Sequence, residues 1–185
     1  MAGDIDNPRI WLNADVYVAD PGTAAPTGVA DAWPAGWEPL GLLSQDGMTE
    51  TREQEVTDHF AWGGILVRTT RSNHKRTIVV TALEDNPVVF GLVNPGSESE
   101  TVGGITTRTV KVPGKDPRAF GLELRDGDIT KRRIIPRGEV VTVGEVTRSE
   151  DEMEMWELTI NVYPDADGVL YTDITDDPQA DDSGS

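Results

Sequence analysis

Apolar and polar residues alternate along several short stretches of the chain, which is the pattern of β-strands with one buried face. The clearest apolar faces are Leu12, Ala14, Val16 and Val18 near the N-terminus, Phe120, Leu122 and Leu124 further on, and Trp156, Leu158, Ile160 and Val162 near the C-terminus. A short apolar run at residues 40–43 predicts a second strand. The pattern therefore predicts a chain built mainly of short strands.

Turn signals between these stretches predict antiparallel hairpins. The runs GGILVRTT and RTIVVTAL are rich in β-branched residues, and we expect the chain to turn at the polar RSNH between them. Asp126-Gly127 predicts a tight turn between AFGLELR and ITKRRII. SESETVGG is expected to be a turn region before the edge strand ITTRTVKV, and EVVTVGEVT to pair with MWELTINVY. Together these signals predict roughly eight to ten strands.

One short helix is predicted within EDNPVVFGLVNPG. Asn86 can cap its N-terminus, Pro87 suits its first turn, and the NPG at 94–96 ends it. Its apolar face would be Val88, Val89 and Leu92. The predicted fold class is all-β, mainly an antiparallel β-sandwich or barrel, with this one flanking α-helix.

Three segments lack a clear strand pattern. The loop at 20–37 is interrupted by three prolines and three glycines in PGTAAPTGVADAWPAG. Residues 44–62 hold so few apolar side chains that they cannot bury a face of their own. Residues 175–185 are acidic and predicted to be disordered. We therefore divide the chain into an N-terminal arm at 1–12, one β domain at 13–174 and an acidic tail at 175–185.

Composition narrows the classes of function. Cysteine is absent, which excludes disulfides, thiolate zinc sites and cysteine nucleophiles. The chain has 33 acidic and 16 basic residues and a formal net charge of −17, which disfavours binding of the whole chain to DNA or to an anionic membrane. No apolar run approaches the roughly 20 residues of a membrane span, and the N-terminus lacks a signal peptide pattern. We expect a cytosolic product, or one released without secretion.

A search for catalytic and ligand-binding motifs gives no positive result. His59 and His74 have polar neighbours and no partner at ligand spacing, as expected of exposed histidines. A G-x-S-x-G motif is absent, and the GKD at 114–116 lacks the serine or threonine of a phosphate-binding loop. The DADG at 165–168 lacks the other ligands of a calcium loop. We predict a protein that is not an enzyme and has no catalytic, cofactor-binding or metal-binding residues.

Eight of the 16 basic residues lie in or beside two stretches, TRSNHKR at 70–76 and TKRRIIPR at 130–137. Neither stretch has the aromatic residues or the helical setting typical of nucleic-acid binders. We therefore predict that they contact acidic patches on other copies of the chain, in heterologous contacts. The predicted contact residues are Arg68, Arg71, Lys75, Arg76, Lys131, Arg132, Arg133 and Arg137, with Glu50, Glu53 and Glu55 and further acids at 150–157 as their partners.

Two tryptophans in the loop at 20–37 allow two interpretations. Trp33 and Trp37 either pack on their own domain or anchor an interface between copies.

An ordered series of segments resembles a known family. HFAWGGILVRTT, TIVVTALEDNPVVFGLV, AFGLELRDGDITKRRIIPRGEVVTVGEV and MWELTINVYPDADGVLY together resemble the major tail proteins, or tail tube subunits, of long-tailed (siphovirus-type) phages of actinobacteria. The similarity extends from about Asp15 to Asp173. It implies a tail-tube-like fold, hexameric rings that stack into a tube, and an arm at about 44–62 that orders on assembly.

The same resemblance implies the partners and the location of the protein. Its partners would be other copies of itself, the tail terminator, the tape measure and the distal tail protein, and it would reside in the virion tail after assembly in the host cytoplasm. Double-stranded DNA would pass through the bore without specific binding, and no membrane would be involved. Because an acidic bore repels DNA, we expect acids to line it, and the candidates are Glu123, Asp126 and Asp128.

Two alternatives stay open at this point. One is a monomeric β-sandwich that binds a sugar or a protein. The other is a different virion component, such as a head decoration or tail-tip protein.

Overall fold

The β-strands of a computed structural model, which describes residues 8–176, follow the turns and alternation of the sequence. The strands are β1 Asn13–Ala19, β2 Glu38–Pro39, β3 Thr49–Ala61, β4 Ile65–Ala82, β5 Glu98–Val102, β6 Ile105–Thr109, β7 Arg118–Asp126, β8 Ile129–Val143, β9 Trp156–Val162 and β10 Thr172–Asp176, with one helix, α1 Pro87–Val93, among the described residues. The predicted all-β fold class with a short helix is confirmed.

All the strand pairs are antiparallel. The larger sheet has the order β2-β1-β7-β8-β9-β4-β3, and β5 and β6 form a separate two-stranded hairpin. The long strand β8 is shared, because its first residues pair with both β7 and β10 while its last residues, from Gly138, pair with β9. Strand β8 therefore joins the two halves of the sheet.

The core forms on the faces that alternation predicts. All four apolar residues of the predicted face of β9 are buried, as are Val16 and Val18 of β1, whereas Leu12 is exposed. Helix α1 adds Val89 and Leu92 to this core. Its predicted cap is also present, since the Asn86 side chain accepts a hydrogen bond of 2.9 Å from the Val89 amide.

The predicted turn at RSNH is wrong. Strand β4 continues through these residues, and the chain turns instead at Trp62-Gly63-Gly64, where both glycines have positive φ angles. Asn73 accommodates a bulge rather than a turn, with φ of 55° opposite a register shift between Glu53 and Glu55. The glycine pair forms the turn because it takes up the left-handed conformation without steric cost.

Three other predicted elements also differ. Residues 40–43 do not form the second strand, since β2 lies at Glu38–Pro39 and Leu43 makes only an isolated bridge to Ala82. SESETVGG contains β5, and its turn is confined to Gly103-Gly104. Part of the predicted acidic tail belongs to β10, which ends at Asp176. The rest of that tail and residues 1–7 of the predicted N-terminal arm lie outside the described residues, and the domain division stays a prediction.

Candidate assembly surfaces

A two-stranded hairpin, formed by β3 and the first part of β4, extends beyond the strands that pair with β9. Strand β9 pairs with β4 only from Thr77 onward, so residues 53–75, which we call the arm, pair only with each other among the described residues. Side-chain hydrogen bonds in its outer part join its two strands, for example Thr69 to Asp58 at 2.7 Å and Asn73 to Glu55 at 2.5 Å. The predicted assembly segment at 44–62 thus forms the root, the first strand and the turn of this hairpin.

The end of the arm is apolar and exposed. Trp62 is fully exposed, and Phe60 and Leu66 are 62% and 52% exposed. Ile65 and Val67 are exposed beside them, and we call residues 60–67 the tip. A contiguous exposed apolar cluster of this kind is typical of an interaction surface.

The second strand of the arm is basic. Between Ile65 and Arg76, strand β4 carries four basic residues and no acid. Arg68 and Arg71 lie opposite His59 and Val56 of β3, and Lys75 lies 3.9 Å from Glu53. Arg68, Arg71 and Lys75 are exposed, so their charges are available to a partner.

One basic residue of each cluster, Arg76 of the first and Arg133 of the second, lies at the root of the arm. Arg76 donates to Glu50 at 2.7 Å and also contacts Tyr171. Arg133 binds both carboxylate oxygens of Asp173, at 2.7 and 2.8 Å, contacts Glu50 and lies 3.7 Å from the centre of the Tyr171 ring. This network ties β3, β4, β8 and β10 together within one chain.

Electrostatics at the root follows from these contacts. The hydrogen bonds from the Arg133 guanidinium to Asp173, and secondarily to Glu50, raise the pKa of Arg133 above its ordinary value. Burial raises the pKa of Asp173, but the hydrogen bonds from Arg133 and Lys131 outweigh burial and leave that pKa lowered. Both groups are therefore held in their charged forms.

Arg132 and Glu123 are buried against each other. The Arg132 Nε donates to Glu123 at 2.7 Å, and the residues are 5% and 8% exposed. The same guanidinium donates at 2.7 Å to the carbonyl oxygens of Gly28 and Asp31. Arg125 supplies a second contact to Glu123, at 3.1 Å. The pair thus fastens the loop at 20–37 to the sheet, and neither charge reaches the surface.

Both loop tryptophans pack on their own domain. Trp33 stacks on Tyr17 with ring centres 4.3 Å apart and donates to Glu123 at 3.0 Å. Trp37 is buried beside Trp33 and donates to the carbonyl oxygen of Ala24 at 2.8 Å. In this structure both rings pack within their own domain, which is the first of the two interpretations.

The remaining predicted residues are scattered. Lys131 lies 3.0 Å from Asp173, and Arg137 is exposed with its guanidinium 5.9 Å from the Tyr163 ring. Asp126 and Asp128 flank the β7–β8 turn, where Asp128 is exposed and Asp126 accepts a hydrogen bond of 3.2 Å from the amide of Ile10. The predicted contact and bore residues therefore form several groups rather than one surface.

Two members of the root network were not predicted from the sequence. Asp173 and Tyr171 lie in the acidic C-terminal segment, which has no strong strand pattern. The weak alternation of Tyr171, Asp173 and Thr175 was the only signal that could have placed a strand there.

The described residues offer no sign of a metal site or a membrane span. Within residues 8–176, no group of three or more histidine and acidic side chains is placed to hold a metal ion. His59 makes a hydrogen bond of 3.0 Å to Thr70, and His74 is exposed. None of the helical structure in this range is long and apolar enough to cross a membrane.

A comparison with protein families identifies the family of this chain. A family model described as phage tail tube protein matches residues 1–184. The chain belongs to this family of phage tail tube proteins. This tail tube protein is therefore a structural component of a virion tail, and it assembles with itself and with other tail proteins. Membership of this family favours a structural role over catalysis. None of the curated proteins matches it.

Proposed function

We propose that this tail tube protein forms hexameric rings, and that the rings stack into a tube whose acid-lined bore conducts phage DNA into the host cell. The observation that carries the proposal is the arm, because its apolar tip is left uncovered by the described part of its own chain. The ordered series of strand segments supports a long-tailed phage of actinobacteria as the source.

Burial of the tip can supply much of the free energy of one contact between two copies. It does not by itself supply enough free energy to hold a whole assembly together. Full burial of an aromatic side chain removes about 150–250 Å² from water, which is worth roughly 4–6 kcal/mol as an upper bound. At this upper bound Phe60 and Trp62 together give roughly 8–12 kcal/mol, about the same size as an association cost of about 4–15 kcal/mol, so one such contact leaves little net binding energy. Assembly should therefore be cooperative, with each copy held by several neighbours at once.

Charge supports the acidic bore. Arg76, Arg132 and Arg133 bind acids of their own chain, so they do not present free positive charge to DNA. Among the three bore candidates, Asp128 and Asp126 remain in the proposal, and we leave Glu123 out because it is buried. Duplex DNA carries one negative charge per about 1.7 Å of axis, and repulsion acts over about 8 Å at physiological salt. Acids at the bore surface would therefore keep DNA from adhering during passage.

The proposed contacts between copies use the exposed members of the predicted set. These are Arg68, Arg71 and Lys75 on the arm, with Arg137 elsewhere on the surface. Glu53 and Glu55 lie on the same arm and could pair with a neighbour when the arm orders. The tail terminator, tape measure and distal tail protein would bind the two ends and the bore of the finished tube.

A shortened arm tests the proposal. In the test variant, residues 54–74 are replaced by Asn-Gly, which closes a two-residue hairpin above the paired residues Glu53 and Lys75. We expect the full chain to form rings and hollow tubes in electron micrographs as its concentration rises. The variant should keep its melting temperature, because the removed segment contains none of the buried core residues, and should stay monomeric.

Two outcomes would count against the proposal. If the full chain stays monomeric at every concentration and salt level, it does not form a tube by itself. If the shortened variant assembles as readily as the full chain, the arm is not the element that joins the copies. Exchange of Asp126 and Asp128 for lysine tests the bore separately, since tubes of that variant should bind duplex DNA with strong salt dependence.

A further inference from the structure

A groove between α1 and β8 has the features of a receiving surface for the tip. It has a volume of about 380 Å³ and is lined by Leu92, Val93, Pro95, Pro113, Val140 and Val141, among others. Val141 is 45% exposed, and Val112 next to Pro113 is 92% exposed. The groove thus combines a concave shape with uncovered apolar side chains, as a docking site for an apolar group requires.

The edge of β8 beside this groove is also open. Strand β7 pairs with β8 only as far as Gly138, so among residues 8–176 the stretch from Glu139 to Val143 has β9 as its only strand neighbour. An open edge offers backbone donors and acceptors to an added segment.

The tip lies at the start of β4, whereas the groove lies near the other end of β4, across the neighbouring strand β9. In the sheet, Val143 pairs with Leu158 and Leu158 pairs with Val80 of β4, whereas the tip precedes β4 at Ile65. The fifteen residue steps from Ile65 to Val80 span about 50 Å in an extended strand. A chain therefore cannot place its tip in its own groove without breaking the sheet, but a second copy can.

The charges beside the two surfaces are complementary and occur in the same order. The tip is followed along β4 by the basic residues Arg68, Arg71 and Lys75. The groove is followed, directly after β8, by a loop whose residues 150–154 include four acids, together with Met153, which is 70% exposed. An arm whose tip sits in the groove and whose basic stretch faces this loop would pair opposite charges, and such pairing fixes orientation and suppresses other contacts.

We infer that the tip of one copy docks in the α1–β8 groove of another, with the basic side of the arm against the acidic loop at 150–154. The inference rests on the proposed function, because it needs assembled copies. A contact between opposite ends of the molecule is heterologous, so it joins copies head to tail and can propagate. It names the receiving surface, which self-assembly alone does not specify.

Chemical cross-linking of singly substituted chains tests this contact. The natural chain has no cysteine, so Ala61→Cys at the tip and Val141→Cys in the groove introduce one thiol each. The two variants are mixed, allowed to assemble and treated with a short bis-maleimide. The matched control mixes Ala61→Cys with Val169→Cys, since Val169 is 40% exposed and lies outside the groove. We expect the mixed dimer to exceed the control by about tenfold or more, because held thiols react at a high effective concentration.

Electron microscopy of the same samples separates the possible failures. Rings or tubes with no more mixed dimer than the control would overturn the docking site and leave the proposed function standing. If the unsubstituted chain never assembles, both fail. If only the substituted chains fail to assemble, hydrogen exchange on the unsubstituted protein decides the matter. Amides of residues 139–143 and 60–67 must then become protected on assembly, and unchanged exchange would refute the contact.

Discussion

Removal of the buried charge of Arg132 should destabilise the protomer strongly, because that side chain holds the loop at 20–37 to the sheet. In Arg132→Met, the Glu123 carboxylate keeps its contacts with Arg125 and Trp33 but loses its closest partner, at 2.7 Å. The carbonyl oxygens of Gly28 and Asp31 also lose their donor. Methionine preserves much of the length of the side chain, so the change acts mainly through charge and hydrogen bonding.

The magnitude follows from the burial of the pair. Breaking a buried ion pair by removal of one partner costs about 3–5 kcal/mol. The remaining contact from Arg125 places the expected loss near the lower limit, at about 3 kcal/mol. For a chain of this size each kcal/mol lowers the melting temperature by about 2–4 °C, so the expected fall is about 6–12 °C.

Thermal and urea unfolding of the unassembled protein measure this loss, with tryptophan fluorescence as the signal because Trp33 lies in the affected cluster. Arg68→Met is the matched control, since the same change at an exposed site should alter stability by less than about 0.5 kcal/mol. The double variant Arg132→Met with Glu123→Gln should recover part of the loss, because it leaves no buried charge without its main partner. A fall no larger than that of the control would refute the role given to this pair.

Three further predictions concern other parts of the chain. Gly121→Ala should destabilise the protein by about 1–3 kcal/mol in urea unfolding, because a Cβ atom there would lie 2.2 Å from the Trp33 ring. The lowered pKa of Asp173 means that its charge stabilises the fold above its ordinary pKa of about 4 and that this stability is lost as the pH falls through the lowered value. Asp173→Asn should therefore weaken the dependence of stability on pH below about 4. If the free energy of unfolding changes with pH below 4 as it does in the unsubstituted protein, the ion pair with Arg133 is contradicted. Trp62→Ala should raise the concentration needed for assembly about thirtyfold, as expected for loss of an aromatic anchor, and leave the melting temperature unchanged; Trp62→Phe should retain most of the assembly.

Local signals predicted those elements whose structure depends on nearby residues. The buried face of β9 follows from alternation over seven residues, and α1 follows from a cap and a proline at its start. The Asp126-Gly127 turn was likewise predicted, because its conformation is set by the two turn residues themselves.

The arm was harder to predict because two turn signals competed. RSNH is polar and separates two β-branched runs, but a strand exposed on both faces needs no apolar alternation there. The Gly63-Gly64 pair was the stronger turn signal, and it places the turn ten residues before Asn73. Apolar residues on both sides of that turn also indicate an exposed tip rather than a core strand.

The sequence could not show which residues of the basic clusters bind acids of their own chain and which remain exposed. Arg133 meets Asp173 across 40 positions, and Trp33 meets Glu123 across 90. Spacing along the chain carries no information on such contacts. Only the fold shows that Arg76, Arg132 and Arg133 bind acids of their own chain, which leaves Arg68, Arg71, Lys75 and Arg137 as the exposed members of the two clusters.

Electron cryomicroscopy of the assembled protein tests the central claim most directly. The account predicts a hollow tube of sixfold rings, with Asp126 and Asp128 at the bore and the tip of each arm buried against another copy. Monomers at all concentrations, solid fibres, or a tube in which the tips project freely into solvent would contradict it.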